Sequence, residues 1–560
     1  MDRKPLRVPF AALLVLLTIL AFGVAARVVR LDRQIVFDDE IWTRLRVAGV
    51  SDRALGQLFD DRVHTVAEWN DRYQSVGRGG DALASIIGSL SADEPQWPPL
   101  FYLLCAGWER IVGSGMASLR ALAAIFGILA IPAVFAFARE LTSSTRVGVI
   151  AAALVAISPL DVAYSREARG YSVMLFLLAL SSLLLLRALR TGSPRLWIAY
   201  AVALFLGLYD FALFGGVAVG HALWVLRARE KHPEAPRAFA LAVAPVVALW
   251  VPWLARVVLE RGHMAATMPS AGGLPFWSFV VPKWIYNLAL PFFAADFWVV
   301  ELGVLALPIV ALLVVAVAST WRAERERLIA LILLALPTVL VLALADMYWE
   351  KSTILIARYQ FPLLLAVQLV VAIALARWLL APRRSVRRAA VAVAAGLAVC
   401  GVVSSILVVS QRYWWETWYD AGVPAAVDAI NAGPVPLVVS ERTSYPSIIM
   451  SNDLRPDTRL LLLASDPGRP CRAVVVETGG RDAFLFARPP SLAVQPREQR
   501  DATLTPVVVS EGHASLAWRF AALTASLTGH HRTGTPKPWE GLVLWRITTK
   551  RPTIDLTVCR

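Results

Sequence analysis

The sequence predicts an α-helical polytopic membrane protein with a soluble α/β domain at its C-terminal end. Three observations predict it. Of the 560 residues, 57% are hydrophobic and only 17% are charged, whereas a soluble domain is about a quarter charged. The apolar residues gather in many nearly charge-free runs, and a bilayer-spanning helix needs about 20 such residues. Lys and Arg collect between alternate runs, and beyond residue 410 the long runs give way to short β-like ones.

The charge pattern sets the topology. Basic residues cluster at Arg3–Arg7, Arg139–Arg146, Arg187–Arg195, Arg227–Arg237, Arg322–Arg327 and Arg377–Arg388, while the short connections on the other side hold few. The positive-inside rule places the first set, with the N-terminus, in the cytoplasm. The net charge of +14 is therefore a topology signal and not a nucleic-acid footprint.

The elements follow in order. About eleven spans are expected, at 10–29, 117–138, 146–163, 171–189, 196–209, 211–227, 238–257, 298–318, 328–346, 359–377 and 389–410. The first resembles a signal peptide in having Arg3, Lys4 and Arg7 ahead of it. Ala11–Ala26 is long for the apolar part of one, and Arg27–Arg30 makes a poor cleavage site, so it reads as a retained span. The outer loop 30–116 is polar and net acidic, and its apolar stretch Pro98–Val112 reads as a helix lying in the interface. A second outer loop, about 258–297, is rich in aromatics, as an interfacial belt would be. An odd number of spans leaves 411–560 outside. There a helix at Val423–Asn431 precedes strand-like runs at Leu437–Val439, Leu460–Leu463, Ala473–Val476, Pro506–Val509 and Leu542–Ile547. The domains expected are thus 1–410 in the membrane and 411–560 outside it. Cys471 and Cys559 share the outer domain, where an oxidising compartment permits a disulfide. A bridge and two free thiols both remain open. No Cys or His cluster has metal-ligand spacing.

Three places could carry chemistry. Asp38-Asp39-Glu40 sets three carboxylates just outside the first span, where they need cations, donors or water. One of them could act as a general base on a hydroxyl, or the run could be a solvated acidic loop. Ser165-Arg166-Glu167-Ala168-Arg169-Gly170-Tyr171 fills a short outer turn. Arg169 there suits a phosphate, and an ion pair with Glu167 is the simpler alternative. Arg358-Tyr359 places a cation on the outer side against the charge bias, which calls for a partner or for snorkelling to lipid headgroups. Lys283 and Tyr286 are weaker candidates of the same kind.

Taken in order, these residues resemble the GT-C glycosyltransferases that use polyprenyl-phosphate sugars. The branch is that of the protein-mannosyltransferase-like and aminoarabinose-transferase-like enzymes. The matching pieces are Asp39-Glu40, Pro98-Pro99-Leu100-Phe101-Tyr102, Leu119-Arg120 with Phe126-Gly127-Ile128-Leu129, the Ser165–Tyr171 turn, and Arg358-Tyr359. The resemblance spans roughly 10–410. Two departures stand out. Trp97 occupies a position that is often His or another polar group, and Leu208-Tyr209-Asp210-Phe211 replaces an aromatic-His-Tyr pattern.

The resemblance implies an inverting sugar transfer at the outer face of a bacterial cytoplasmic membrane. Asp39, with Glu40 beside it, would be the base that takes the acceptor's proton. Glu167, Arg169, Tyr171, Lys283, Tyr286, Arg358 and Tyr359 would hold the donor's phosphate and sugar. The donor would be a polyprenyl-phosphate sugar, and the acceptor an envelope glycolipid, a polysaccharide or a protein. No cofactor is required, although a divalent metal at Asp38/Asp39/Glu40 is compatible. Two other classes compete: a lipid or sugar transporter, and a membrane scaffold whose outer domain binds a partner. Transporters place polar groups at the membrane midplane and show paired repeats. Here the polar groups collect at the outer surface and no duplicated halves are evident.

Overall fold

The computed structural model describes residues 10–57, 59–73, 81–262, 277, 280–295, 304–412, 414, 422–434, 436–441, 448, 450–464, 471–478, 483–487, 493–496, 502–509, 543–549 and 553–559. Helices stand at every expected span. They are α1 (Phe10–Val28), α7 (Met116–Thr142), the pair α8 (Thr145–Ile157) and α9 (Pro159–Ser165), α10 (Tyr171–Thr191), α11 (Pro194–Asp210), α12 (Phe214–Ala228), α13 (Ala235–Leu259), α15 (Ala306–Ala323), α16 (Arg325–Trp349), α17 (Phe361–Trp378) and α18 (Arg384–Ser410). Among the described residues, seven helices are long and apolar enough to cross a membrane, or eight with the bent pair α8–α9 counted as one. Helices α1, α11 and α12 are shorter, so the figure of eleven spans stays an expectation.

The bend has a local cause. Ser158 stops α8 with extended dihedrals, its Oγ accepts from Asp161 N, and Pro159 opens α9. Ser and then Pro is a helix-start signal that restarts the chain in a new direction, and the axis turns by 60°. Arg27 of α1 fills the notch, donating to Gly23 O, Val155 O and Ala156 O. In a bilayer those carbonyls have no water to turn to.

The first outer loop is mostly helical. It contains α2 (Asp38–Val47), α3 (Asp52–Gly56), α4 (Val66–Tyr73), α5 (Ala82–Asp93) and α6 (Leu100–Val112). Helix α6 is the helix expected at Pro98–Val112. In the second loop α14 (Val281–Asn287) is described, whereas 263–276 and 296–303 lie outside the described residues.

The outer domain holds the expected helix, α19 (Val423–Asn431), and two sheets. Strands β1 (Val63–Thr65), β3 (Arg459–Leu463), β2 (Leu437–Glu441), β5 (Ala483–Ala487), β8 (Val543–Thr549) and β7 (Ala502–Val509) lie in that order in one sheet. The other sheet is antiparallel, with β4 (Cys471–Glu477), β9 (Thr553–Cys559) and β6 (Ala493–Pro496). Its register sets Cys471 opposite Cys559; the side chains of these two residues lie outside the description. The expected domain boundary needs one correction. Strand β1 belongs to the first loop yet pairs antiparallel with β3. Ile41, Leu45 and Trp69 of the loop share a buried core with Val427, Met450 and Leu462. The loop therefore shares one sheet and one core with described residues of the 411–560 segment.

Candidate active site

The recess lies where one end of α1, α10, α11 and α17 meets the first loop. Asp38, Asp39 and Glu40 turn out to be the first turn of α2. A helix N-terminus favours acidic groups through its dipole and unpaired N–H groups, which accounts for three carboxylates in a row.

Successive helical residues point about 100° apart, and Asp39 and Glu40 part company accordingly. Glu40 is 1% exposed and faces inward. Its Oε1 accepts from Arg120 Nε at 2.7 Å and Ala168 N at 2.9 Å, and its Oε2 accepts from Arg120 Nη2 at 2.5 Å and Phe37 N at 3.0 Å. Arg120 also donates to Leu31 O, Gln34 O and Ile35 O. This pair clamps the α1–α2 connection and the Glu167–Gly170 turn to α7. The sequence grouped Glu40 with Asp39 as catalytic; in the fold both Glu40 oxygens are committed to Arg120, Phe37 N and Ala168 N, whereas Asp39 is not so enclosed. The same commitment bears on the expected metal option. Glu40 has no free oxygen to offer a divalent ion, which takes several converging oxygens, and the described residues hold no group of three or more His, Cys, Asp or Glu placed for one.

Asp39 faces the recess with its side chain 21% exposed. Arg358 Nη2 lies 3.1 Å from its Oδ2, and the Tyr171 hydroxyl donates to the same oxygen at 3.5 Å. Burial pushes the carboxyl pKa up, but Arg358, Arg169 and Tyr171 outweigh it and hold it below the usual range. Asp39 is thus ionised at neutral pH. Arg169, from the Ser165–Tyr171 turn, donates to Asp39 O, Thr43 Oγ1 and Tyr102 Oη at 3.3, 3.2 and 3.1 Å. Its guanidinium lies 4.1 Å from the centroid of Trp97, within cation–π range. Burial opposes the charge, yet the surrounding Tyr102 and Asp39 oxygens raise its pKa further, and it remains a cation.

Glu167 behaves differently from the expected ion pair with Arg169. It is 3% exposed, and neither carboxylate oxygen has a hydrogen-bond partner among the described residues. Burial first, with the neighbouring Asp39 and Glu40 charges, pushes its pKa up to about 8 against the pull of Arg358. Two carboxylates near each other do not both ionise easily: Asp39 carries the charge and Glu167 the proton. Glu167 therefore does not offset the charge of Arg169.

Aromatic rings wall the recess. Trp97 lies 5.1 Å from Phe211 in a stacked arrangement, 5.9 Å from Tyr171 and 6.2 Å from Tyr359, centroid to centroid. Arg358 sits among Phe37, Tyr171 and Tyr359 at 5.6–5.9 Å. Asp39, Arg169, Tyr171, Arg358 and Tyr359 are thus brought together as the sequence suggested. Lys283 and Tyr286 lie on α14, the Lys283 Nζ 4.9 Å from the Tyr286 ring. That helix instead braces the Arg358 turn, through Trp284 Nε1 to Gln360 Oε1 and Asn287 Nδ2 to Leu355 O.

Sequence reading missed Trp97, Tyr102 and Phe211 as site residues. A Trp beside a Pro pair at a membrane surface was the available signal.

Fold and site define a polytopic helical membrane protein with a charged, aromatic-walled recess at one end of its helices. The model of the dolichyl-phosphate-mannose-protein mannosyltransferase family matches residues 96–255. This bears out the resemblance to GT-C glycosyltransferases read from the sequence. The matched segment contains Trp97, Glu167, Arg169, Tyr171 and Asp210, while Asp39 and Arg358 lie outside it. No curated protein matches the chain. Among solved structures, ArnT from Cupriavidus metallidurans bound to undecaprenyl phosphate is 12% identical, covering 96% of this chain and 98% of that one, with a TM-score of 0.49. The Archaeoglobus fulgidus oligosaccharyltransferase in its apo form is 14% identical over 82% of this chain and 65% of that one, TM-score 0.44. The same organism's AglB, in complex with an inhibitory peptide and a dolichol-phosphate, is 16% identical over 81% and 64%, TM-score 0.40. These are distant likenesses.

Proposed function

We propose that the protein is an inverting glycosyltransferase that moves a sugar from a polyprenyl-phosphate donor to an acceptor hydroxyl. The observation that carries this is Asp39 held 3.1 Å from Arg358, with Arg169 adjacent, beside a cluster of aromatic rings. Such a set offers a base and two fixed cations in one mostly buried place.

The chemistry is derived from that set. Asp39 accepts the proton of the acceptor hydroxyl as its oxygen attacks the anomeric carbon. The bond from that carbon to the phosphate oxygen breaks, and the electron pair leaves with the lipid phosphate. Arg358 and Arg169 neutralise the charge that grows there, a preorganised electrostatic effect that is strongest where water is excluded. Tyr359 and Tyr171 supply hydroxyls at the same place. Arg358 is shared between base and leaving group. As the phosphate takes it up, Asp39 loses a counter-charge and becomes more basic at the moment a base is needed.

Helices α11 and α13 form an apolar groove of about 640 Å³ lined by Trp197, Ile198, Phe205, Pro245 and Leu249, which suits a prenyl chain. The acceptor is an envelope glycolipid, a polysaccharide or a protein, and the recess faces the outside of a bacterial cytoplasmic membrane. The test is to incubate the purified protein in nanodiscs with radiolabelled polyprenyl-phosphate sugars and a membrane lipid extract. Release of free polyprenyl phosphate with transfer of label supports the reading. No donor bound or consumed across a broad panel overturns it.

A further inference from the structure

Asp210 is the last residue of α11, and nothing in the chemistry above uses it. It is 3% exposed, and neither Oδ1 nor Oδ2 has a hydrogen-bond partner among the described residues. A buried carboxylate without a partner is costly, and an orphaned group in a folded protein calls for an explanation. Its surroundings point to one. The next residue, Phe211, stacks on Trp97 and lies 6.3 Å from Tyr171 and 5.9 Å from Tyr359, so Asp210 directly precedes the aromatic wall in the chain. Its carboxylate packs on the turn that carries Glu167 and Arg169. A Cβ added at Gly170 would meet Asp210 Oδ1 at 2.7 Å, so only glycine lets the carboxylate approach. Glu167, on the same turn, is the second buried carboxyl with no hydrogen-bond partner.

Two buried carboxyls with no hydrogen-bond partner among the described residues, on either side of a turn whose neighbour Tyr359 is only half-buried, make a combination suited to one class of ligand. A pyranose or furanose ring lays its C–H face on an aromatic ring and turns its hydroxyls outward to acceptors. We propose that Asp210, with Glu167 across the turn, hydrogen-bonds hydroxyls of the donor sugar and so sets which sugar is taken. This rests on the donor reading above and deepens it. A site built to hydrogen-bond a hydroxyl strongly rejects an analogue that lacks it, because the buried polar group is left unpaired.

The experiment measures binding of two probes, undecaprenyl phosphate alone and a panel of undecaprenyl-phosphate hexoses and pentoses with their deoxy analogues, by native mass spectrometry from nanodiscs. The proteins are wild type, Asp210→Asn and Gly170→Ala. Wild type is expected to prefer one sugar-bearing lipid over the bare phosphate and to reject a deoxy form of it. Asp210→Asn is expected to lose that preference by roughly tenfold or more while binding bare undecaprenyl phosphate as wild type does, and Gly170→Ala, whose added Cβ displaces the Asp210 carboxylate, to lose the preference too. The ligand-free Asp210→Asn protein should melt no lower than wild type, since the carboxylate has no partner to lose. An unchanged sugar preference in Asp210→Asn overturns the proposal. So does a lowered melting point accompanied by equal loss of both probes, which would make Asp210 structural. Wild type binding neither probe would instead overturn the donor reading itself.

Discussion

Replacing Glu40 by Gln separates the roles of two adjacent acidic residues. The substitution keeps the shape but trades a carboxylate for an amide. Four donors converge on Glu40: Arg120 Nε and Nη2, Phe37 N and Ala168 N. The amide oxygen satisfies at most two of them. The amide NH2 then points donors at donors, and Arg120 keeps its charge in a place it shares only with backbone carbonyls. Breaking a buried ion pair on one side costs about 3–5 kcal/mol. At the scale of large domains that lowers a thermal midpoint by on the order of 5 °C. The assay is fluorescence-monitored melting in detergent for Glu40→Gln, Arg120→Met and the double variant. Each single variant should lose most of the stability, and the double variant should recover part of it, because two matched apolar or neutral groups cost less than one orphan charge. Activity should fall with the folded fraction, and the surviving folded protein should keep its donor KM. A Glu40→Gln protein that melts with wild type but has no transferase activity would refute this reasoning and return Glu40 to the catalytic role its sequence position suggests.

Other substitutions probe the neighbours. Arg169→Lys loses the planar group lying on Trp97 and the fan of donors to Asp39 O, Thr43 and Tyr102; donor KM should rise roughly tenfold or more, measured with the preferred donor, since Lys does not replace a stacked, multiply bonded Arg. The raised pKa of Glu167, about 8, makes stability pH-dependent. Its proton contributes stability that is whole below the unfolded value near 4.5 and is lost as pH rises through about 8, so melting points of wild type should fall across that window more than those of Glu167→Gln. Gly127→Ala would drive a Cβ to within 2.6 Å of Ser165 Cβ, and such close packing of small residues between membrane helices leaves no room; the variant should accumulate poorly and melt lower than wild type.

The membrane part was legible because hydropathy and alternating basic charge report burial in lipid directly. Every expected span finds a helix, and α19 falls on the residues expected, Val423–Asn431. The bend at Ser158-Pro159 was hidden inside one continuous apolar run, although its cap-and-Pro pair is a local signal. Strand β1 was not legible: three residues carry no period, and their partner β3 lies nearly 400 positions away. At the site, the acidic run was visible, but adjacency in sequence does not reveal which helix face each carboxylate takes, and Asp39 and Glu40 take different ones. For Glu167 the sequence left two readings open, a place at the donor and an ion pair with an arginine close in sequence. In the fold Arg169 is satisfied by Asp39, Thr43 and Tyr102 instead. Asp210 stood out only as a departure from a pattern, and its meaning depended on Gly170 and Phe211 being beside it in space.

The central claim is that Asp39 is the base of a lipid-linked sugar transfer. Asn at this position keeps the shape, the Arg358 contact through its oxygen, and the backbone oxygen that receives Arg169. Single-turnover transfer from the preferred polyprenyl-phosphate sugar, measured beside donor binding, tests the claim most directly. The account predicts that Asp39→Asn binds donor within a few-fold of wild type and transfers it about 10² to 10⁴ times more slowly, the range a positioned general base contributes. Transfer at the wild-type rate by Asp39→Asn would contradict it.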